Sequence, residues 1–437
     1  VSETIFALSS GALPAGVSVI RISGPGVRFA FETMLGDVPP ARQAVLRRIT
    51  DGEGGEIDRG LALFFPGPAS FTGEDCGELH LHGSRAVVAR CLQVLGNFDE
   101  FRPAEAGEFS RRAFANGKMD LTEAEGLADL IHAETEAQRR AALDQAGGAL
   151  RSLYEGWMKR LTHARAMLEA ELDFADEADV PGSVSDTIWD DLTRLRQEMS
   201  AHLSGIVWGE IVRDGFRIAL VGAPNAGKST LLNRLADREV AIVSAIPGTT
   251  RDMLEVRLDL GGHLVLVTDT AGLRESGDEI ELEGMRRAKK AVAAADLVLL
   301  LDDGSGAPEL GKLDDAPSIW KIRTKSDLRA PLSHDGYDLI LSARTGEGMD
   351  NLVSAIAAEI DRRSSGYAAA LPNRERHRAA LAAALRALDR SFAVREDGAE
   401  LVAESLRTAS HALGRITGHV DVEDLLGVIF SEFCVGK

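Results

Sequence analysis

The chain has 437 residues, too many for one ordinary core and enough for two to four domains. Its 68 acidic against 49 basic residues leave a net charge of −19, which opposes non-specific attraction to phosphate backbones or anionic lipid and confines any nucleic-acid contact to a local, shaped surface. Cys76, Cys91 and Cys434 are too few and too scattered for a disulfide framework or a metal cluster, no apolar run reaches bilayer length, and Val1 to Ser10 lack the build of a signal segment, so a soluble cytoplasmic protein without membrane association is expected.

In chain order, the first β-prone runs are Val17 to Ile22, Leu61 to Phe65 and Glu78 to His82, each bounded by Gly and Pro, with a helix expected over Ser84 to Leu95. They predict a small α/β domain ending near Asn116. The period then changes: Leu150, Leu153, Trp157, Leu161, Ala164, Leu168 and Leu172 trace the apolar stripe of a long helix, which Gly147 and Gly148 separate from the helix before it. Asp173 to Asp179 reads as a solvated acidic turn leading to another helix with Leu192, Leu195 and Met199.

From about Gly215 to Asp361 strands and helices alternate, with strands expected at Phe216 to Val221, Glu255 to Leu260, His263 to Thr268, Leu297 to Leu301, Ser318 to Ile322 and Asp338 to Leu341. Gly261 and Gly262 read as a hairpin turn. After Pro372 the helical period returns at Leu381, Leu385, Leu388 and Phe392, then at Leu425, Leu426, Ile429 and Phe433. The two helical stretches are expected to pack as one domain, with the alternating segment inserted between them.

The inserted segment carries the chemistry. The strand FRIALV runs into Gly222-Ala-Pro-Asn-Ala-Gly-Lys-Ser229, a phosphate-binding loop in its strand, loop and helix context. Gly222 and Gly227 let backbone amides turn towards phosphates, Lys228 supplies a point charge, and the Ser229 hydroxyl suits Mg2+. The expected GTP contacts here run through Asn225, Ala226, Gly227, Lys228, Ser229 and Thr230. Asp269-Thr270-Ala271-Gly272 follows the strand HLVLVT, so Asp269 can hold the metal through water while the Gly272 amide faces the terminal phosphate. Thr249 and Thr250 form a switch segment, preceded by Ser244, Ala245, Ile246, Pro247 and Gly248, and Thr250 is expected to complete the metal shell.

Thr324-Lys325-Ser326-Asp327 places a carboxylate where guanine presents two edge N–H groups that adenine lacks, a difference that supports rejection of adenine by roughly 10⁴-fold. Ser342-Ala343-Arg344 should line the base pocket. Any one of these segments alone could be a surface turn; their order and register together predict a P-loop GTPase domain. The arrangement resembles translation-factor-like small GTPase domains, with Thr324 where that class usually has Asn and with apolar Leu273 after Gly272, where many GTPases carry a polar residue that orients water. The fold class expected is therefore multidomain α/β plus all-α: a small N-terminal α/β domain, a helical domain built from two chain segments, and an inserted P-loop GTPase domain with a mixed sheet flanked by helices.

With those residues placed, the whole chain resembles the tRNA-modification GTPases of the MnmE (TrmE) family. The resemblance runs from Thr4-Ile-Phe-Ala-Leu-Ser-Ser, through Thr72-Gly-Glu-Asp-Cys-Gly-Glu78 and Arg112-Ala-Phe-Ala-Asn-Gly-Lys-Met-Asp-Leu121, to Phe433-Cys-Val-Gly-Lys437. It implies a folate-binding and dimerisation domain at 1–117, a helical domain at 118–212 and 366–437, and a GTPase domain at 213–365. It also implies a homodimer that joins an FAD-dependent partner of MnmG type in a heterotetramer and modifies the wobble uridine of certain tRNAs.

Four site assignments come from the resemblance. The ligands of K+ carry over to Asn225, Ser244, Ile246 and Thr249, and a monovalent cation there suits the apolar Leu273 because it can neutralise developing charge. The catalytic carboxylate maps to Glu281, beside Lys228 and Gly272; spacing alone would make Glu281 a solvated charge on a switch helix. The 5-formyltetrahydrofolate site maps to Arg21, Glu78, Lys118 and Lys437, where carboxylate and cation chemistry suit a pterin edge and folate carboxylates. Without the resemblance these are a strand-edge arginine, an outward glutamate and a frayed terminus. Cys434 is either a reactive thiol near the folate carbon or a small buried side chain. His80 and His82 alternate on one strand, but no third ligand accompanies them. The competing reading is a regulatory or ribosome-assembly switch GTPase, which would have no use for a reduced folate; an ATP-dependent enzyme is disfavoured by Asp327.

Overall fold

The computed structural model describes residues 3–173, 183–237, 242, 255–269, 291–304, 318–328, 336–364, 370–420, 423–431, 433 and 436. Two compact units emerge, one formed by Val1–Ala128, Ala146–Pro181 and Arg390–Lys437, the other by Asp129–Gln145 and Gly182–Asp389. The acidic stretch expected as a turn lies, beyond Asp173, outside the described residues.

The first unit contains a six-stranded sheet. Its strands are β1 (Thr4–Leu8), β2 (Ala15–Ser23), β3 (Val45–Thr50), β4 (Glu56–Phe65), β5 (Cys76–Gly83) and β6 (Phe101–Pro103), in the order β3-β4-β5-β2-β1-β6. The three β-prone runs lie within β2, β4 and β5, that of β4 being its C-terminal half. Three further strands, β1, β3 and β6, join them; β3 reads VLRRIT, and its two arginines hide the alternation in the sequence. Ile20, Ile22, Leu79 and Leu81 point to one face and pack on Val27 and Phe31 of the helix Val27–Leu35 and on Val88 and Leu95 of the helix Arg85–Gly96. Strand alternation then obliges Arg21, Glu78 and His80 to face the other way. Close strand spacing at β4 needs a glycine: a Cβ on Gly60 would lie 2.0 Å from the His80 carbonyl oxygen.

The long helix Ala149–Asp173 buries Leu150, Tyr154, Trp157, Leu161, Ala164 and Leu168, alternating in steps of four and three. Tyr154, fully buried, takes the position expected of Leu153, which is only half-buried. The physical reason is the seam: it faces the helix Ala399–Thr417, whose Val402, Leu406, Ala409, Leu413 and Ile416 repeat the same steps, as two long helices packed side by side require. Leu172 lies where side chains are outside the described set.

A buried carboxylate ties this unit's sheet to its neighbouring helix. Glu108, 2% exposed, accepts hydrogen bonds from Arg102 Nη2 at 2.6 Å, Arg112 Nη2 at 3.2 Å and the Glu105 amide at 2.9 Å. Arg112 also reaches Glu74, which accepts from Ser23 Oγ at the end of β2. Burial pushes the Glu108 carboxyl up, but the Arg102 guanidinium and the Glu105 N–H outweigh it and hold the group down at about 2.

The second unit holds β7 (Phe216–Gly222), β8 (Glu255–Leu260), β9 (His263–Asp269), β10 (Leu297–Asp302), β11 (Ser318–Arg323) and β12 (Leu339–Ile340), in the order β12-β11-β10-β7-β9-β8. All neighbours are parallel except β8 and β9, joined by Gly261 and Gly262 with φ of 65° and 87°, the left-handed pair that a two-residue hairpin requires. β10 is buried at all six positions because helices cover both faces of a parallel sheet. One face packs on Leu231 and Leu235 of the helix Lys228–Ala236 and on Leu352 and Ile356 of the helix Met349–Ser364; the other packs on Val292. The last strand is shorter than the expected Asp338 to Leu341, although the Asp338 and Leu341 amides still donate to β11 carbonyls. Leu192, Leu195 and Met199 are fully buried in the helix Ser183–Ser204, as their spacing predicts.

Because the folded pKa of Glu108 is depressed, its contribution to stability is complete above the ordinary carboxylate range and disappears as pH falls through about 2. Glu108→Gln should lower the thermal midpoint at neutral pH and narrow the gap to the unmodified protein as the solution is acidified from pH ~4.5 towards ~2. A gap independent of pH across that window would mean that the carboxylate's charge is not what stabilises the cluster.

Candidate functional site

In a doubly wound sheet, ligands gather at the carboxyl ends of the strands where the strand order reverses. Here β7 is central, with β8 and β9 to one side and β10 to β12 to the other, and the chain leaving β7 is the glycine-rich loop. Asn225 and Gly227 adopt φ of 66° and 98°, which turns successive backbone amides towards one side before the helix starting at Lys228. Gly222 admits no side chain, since a Cβ would lie 2.6 Å from the Leu301 carbonyl oxygen of β10.

Lys228 is 6% exposed, and its Nζ donates to the carbonyl oxygens of Gly222 at 2.8 Å and Ala223 at 2.9 Å. The ammonium is thus folded over its own loop, within reach of an anion seated there. Ser229 Oγ donates to Asp269 Oδ2 at 2.9 Å, joining the first turn of the helix to the end of β9. A hydroxyl and a carboxylate side by side at a helix N-terminus are the hard oxygen donors that a hydrated Mg2+ takes, so these residues fit that ion.

The other side of the site, expected to face the base, is built from β11 and β12. The Thr324 amide continues the β10 ladder through Asp302 O, and its hydroxyl, 3% exposed, donates to Ala226 O at 2.7 Å. Thr324 therefore tethers one loop to the other, which explains how a residue shorter than Asn can stand there. Lys325, held at φ 55°, pairs with Asp303 at 2.7 Å. Fully buried Ser342 donates to Asp327 Oδ1 at 2.6 Å and orients that carboxylate at the mouth of the site, next to Ala343 and exposed Arg344. Ser326 Oγ donates to Glu347.

The structure thus brings together Asn225, Ala226, Gly227, Lys228, Ser229, Thr230, Asp269, the Thr324–Asp327 segment and the Ser342–Arg344 segment. Ser244, Ala245, Ile246, Pro247, Gly248, Thr249, Thr250, Thr270, Ala271, Gly272 and Glu281 lie outside the described residues. Asp303 was not legible as part of the site, because its signal is a side-chain contact between strand ends.

A second candidate site lies on the other face of the first unit's sheet, where Phe109 and Phe71 pack over Ile5 and Ala7 beside it. Arg21 and Glu78 are cross-strand partners, bonded at 3.0 Å, and Glu78 Oε2 also bonds His80 Nε2 at 3.2 Å. The Arg21 guanidinium lies 5.3 Å from the centre of the Phe71 ring. Arg21, Glu78 and Phe71 line a cavity of about 360 Å³ with Phe65, Cys76 and Arg42. Lys118 is exposed, beside Gly73, and does not form a wall of that cavity. Cys434 and Lys437 lie outside the described residues, while Gly436 accepts a hydrogen bond from Ser9 Oγ. His82 bonds Asp58 at 2.9 Å rather than sharing a centre with His80. Arg42, Phe65 and Phe71 are additions that spacing did not single out.

A phosphate loop, a carboxylate at the end of the neighbouring strand and a guanine-type Thr-Lys-x-Asp segment on one doubly wound sheet define a P-loop GTPase domain, here inserted in a larger chain. Two family models match the chain, the "MnmE helical domain" over residues 121–434 and the "GTP-binding protein TrmE N-terminus" over residues 4–118. The chain belongs to the MnmE (TrmE) family. A protein named tRNA modification GTPase MnmE from Brucella anthropi is 54% identical over 437 residues, covering 100% of this chain and 99% of its own. One of the same name from Sinorhizobium medicae is 54% identical over 439 residues, with the same coverage. Among solved structures, Era from Aquifex aeolicus bound to GDP.AlF4- is 27% identical over 32% of this chain and 56% of its own, with a TM-score of 0.26.

The tether makes a specific demand. Thr324→Val removes the donor and leaves the buried Ala226 carbonyl unpaired, a loss of about 1–3 kcal/mol. GTP should bind roughly tenfold or more weakly by calorimetry. The preference for GTP over ATP should persist, because Asp327 is untouched. Unaltered GTP affinity would show that the two loops hold their places without this bond.

Proposed function

We propose that this chain, a GTP hydrolase of tRNA modification, works with an FAD-dependent partner to install a carboxymethylaminomethyl or aminomethyl group at C5 of the wobble uridine of certain tRNAs. The one-carbon unit derives from 5-formyltetrahydrofolate. What supports the reading above all is 54% identity, end to end, with a relative named for tRNA modification, combined with a nucleotide site of matching chemistry. In this proposal residues 1–117 bind the folate and dimerise, 118–212 and 366–437 form the helical domain, and 213–365 bind GTP. The protein acts in the cytoplasm as a homodimer within a heterotetramer.

Within the nucleotide domain, Lys228 and the loop amides hold the phosphates, Ser229, Thr250 and Asp269 hold Mg2+, and Gly272 presents its amide to the terminal phosphate. Asp327 selects guanine. Asn225, Ser244, Ile246 and Thr249 would hold K+, which supplies positive charge beside the phosphates when bound. Glu281 orients the attacking water, a task that Leu273 cannot perform. In the first unit, Arg21 and Glu78 would recognise the folate ring, with Lys118 and Lys437 contributing cations and Cys434 a thiol.

GTP hydrolysis should run faster in K+ than in Na+ at equal ionic strength, and Glu281→Ala should slow turnover while leaving GTP affinity nearly intact. Equal rates in the two salts would remove the cation from the mechanism, and a large affinity loss in the variant would mean that Glu281 has another role. Nucleoside analysis of tRNA from a strain lacking the protein should show wobble uridines without the C5 group; normal modification would defeat the proposal.

A further inference from the structure

The sheet-face cavity has an inner and an outer end of different chemistry. Inside, Arg21 and Glu78 are each 18% exposed and neutralise one another, with His80 completing the second carboxylate oxygen. Outside, Arg42 is exposed and lines the same cavity. Its guanidinium donates to the Ala69 carbonyl oxygen and lies 5.9 Å from the centre of the Phe65 ring. Among the described residues no carboxylate pairs with it, in a chain that carries 68 acidic residues.

Its backbone is held for this placement. Arg42 has φ of 60°, a left-handed conformation that a residue with a Cβ seldom adopts. The Arg42 amide donates to Phe64 O at 2.8 Å, and Ala41 bridges to Phe64. The edge of β4 therefore fixes where this side chain starts, and non-glycine residues in that region concentrate at ligand clamps.

We infer that Arg42 is a carboxylate anchor for the tail of the ligand in this cavity, a binding residue beyond Arg21, Glu78, Lys118 and Lys437; the inference rests on the folate reading above. A cavity of about 360 Å³ is near the lower bound for ligand pockets. That volume suits a bicyclic ring beside Phe65 and Phe71 and leaves the remainder of a folate to pass the rim. That remainder ends in glutamate carboxylates. An arginine meets a carboxylate with two parallel N–H groups, and a cation on the rim meets the tail where Arg21, already paired with Glu78, cannot.

Calorimetry on the full-length protein separates the possibilities, with 5-formyltetrahydrofolate and the tail-less 5-formyltetrahydropterin as probes. The unmodified protein should bind the folate roughly tenfold more tightly than the pterin, the gain of one charge-assisted contact. R42Q should lose much of that difference, what remains being the share of Lys118 and Lys437, while Arg42→Lys, with the same backbone demand and charge, should keep most of it. An R42Q protein that prefers the folate as strongly as the unmodified one does, or that loses pterin binding equally, overturns the inference and leaves the folate reading standing. Unmodified protein that binds neither probe overturns the folate reading and the inference together.

Discussion

Between the ends of β7 and β11 a single buried hydroxyl joins two loops with different tasks. Thr324 Oγ1 donates to Ala226 O, so the Thr324–Asp327 segment is attached to the glycine-rich loop. Neither loop has regular structure to hold it in place. Each is also held by polar contacts to a neighbouring strand end or loop: Asp327 by Ser342, Lys325 by Asp303, Ser229 by Asp269. In the low-dielectric ends of a parallel sheet such bonds are strong when complete and costly when broken. This makes the nucleotide site a cooperative object rather than a set of independent motifs.

The other candidate site obeys a different constraint, the period of two in a strand. Burying Ile20 and Ile22 on one side and Leu79 and Leu81 with them leaves Arg21 and Glu78 no freedom about which face they occupy. Register then places them opposite one another. A one-residue slip between β2 and β5 would move the apolar set to the opposite face and destroy the pair, so the hydrophobic core itself protects the ionic site. The Glu108 cluster extends the arrangement by linking the neighbouring helix, through Arg112 and Glu74, to the end of β2.

Local charge in both places runs against the overall balance of the chain. A net charge of −19 repels anions at long range, yet Lys228 and the loop amides in one unit, and Arg42 in the other, offer positive charge at a cavity or loop. Recognition must therefore operate at contact distance, through geometry, with screening suppressing the long-range repulsion beyond about 10 Å. For a protein whose relatives are named for tRNA modification, the same reasoning implies discrimination by shape over attraction by bulk charge.

Much was legible from residue order alone. The phosphate loop, Asp269, the Thr324 to Asp327 segment and the glycine pair at 261 and 262 are local patterns whose chemistry is set within a few residues, so spacing reveals them. The same holds for the core strands and for the long helix as an element. Tertiary structure decided what depends on distant partners: Tyr154 in place of Leu153 at the helix seam, the arginine-bearing strand β3, Asp303 beneath Lys325, and Arg42 on the cavity rim. A hydrophobic period states that a face is buried but not which neighbour buries it, and a charge in sequence carries no address until the backbone brings its partner within hydrogen-bonding distance.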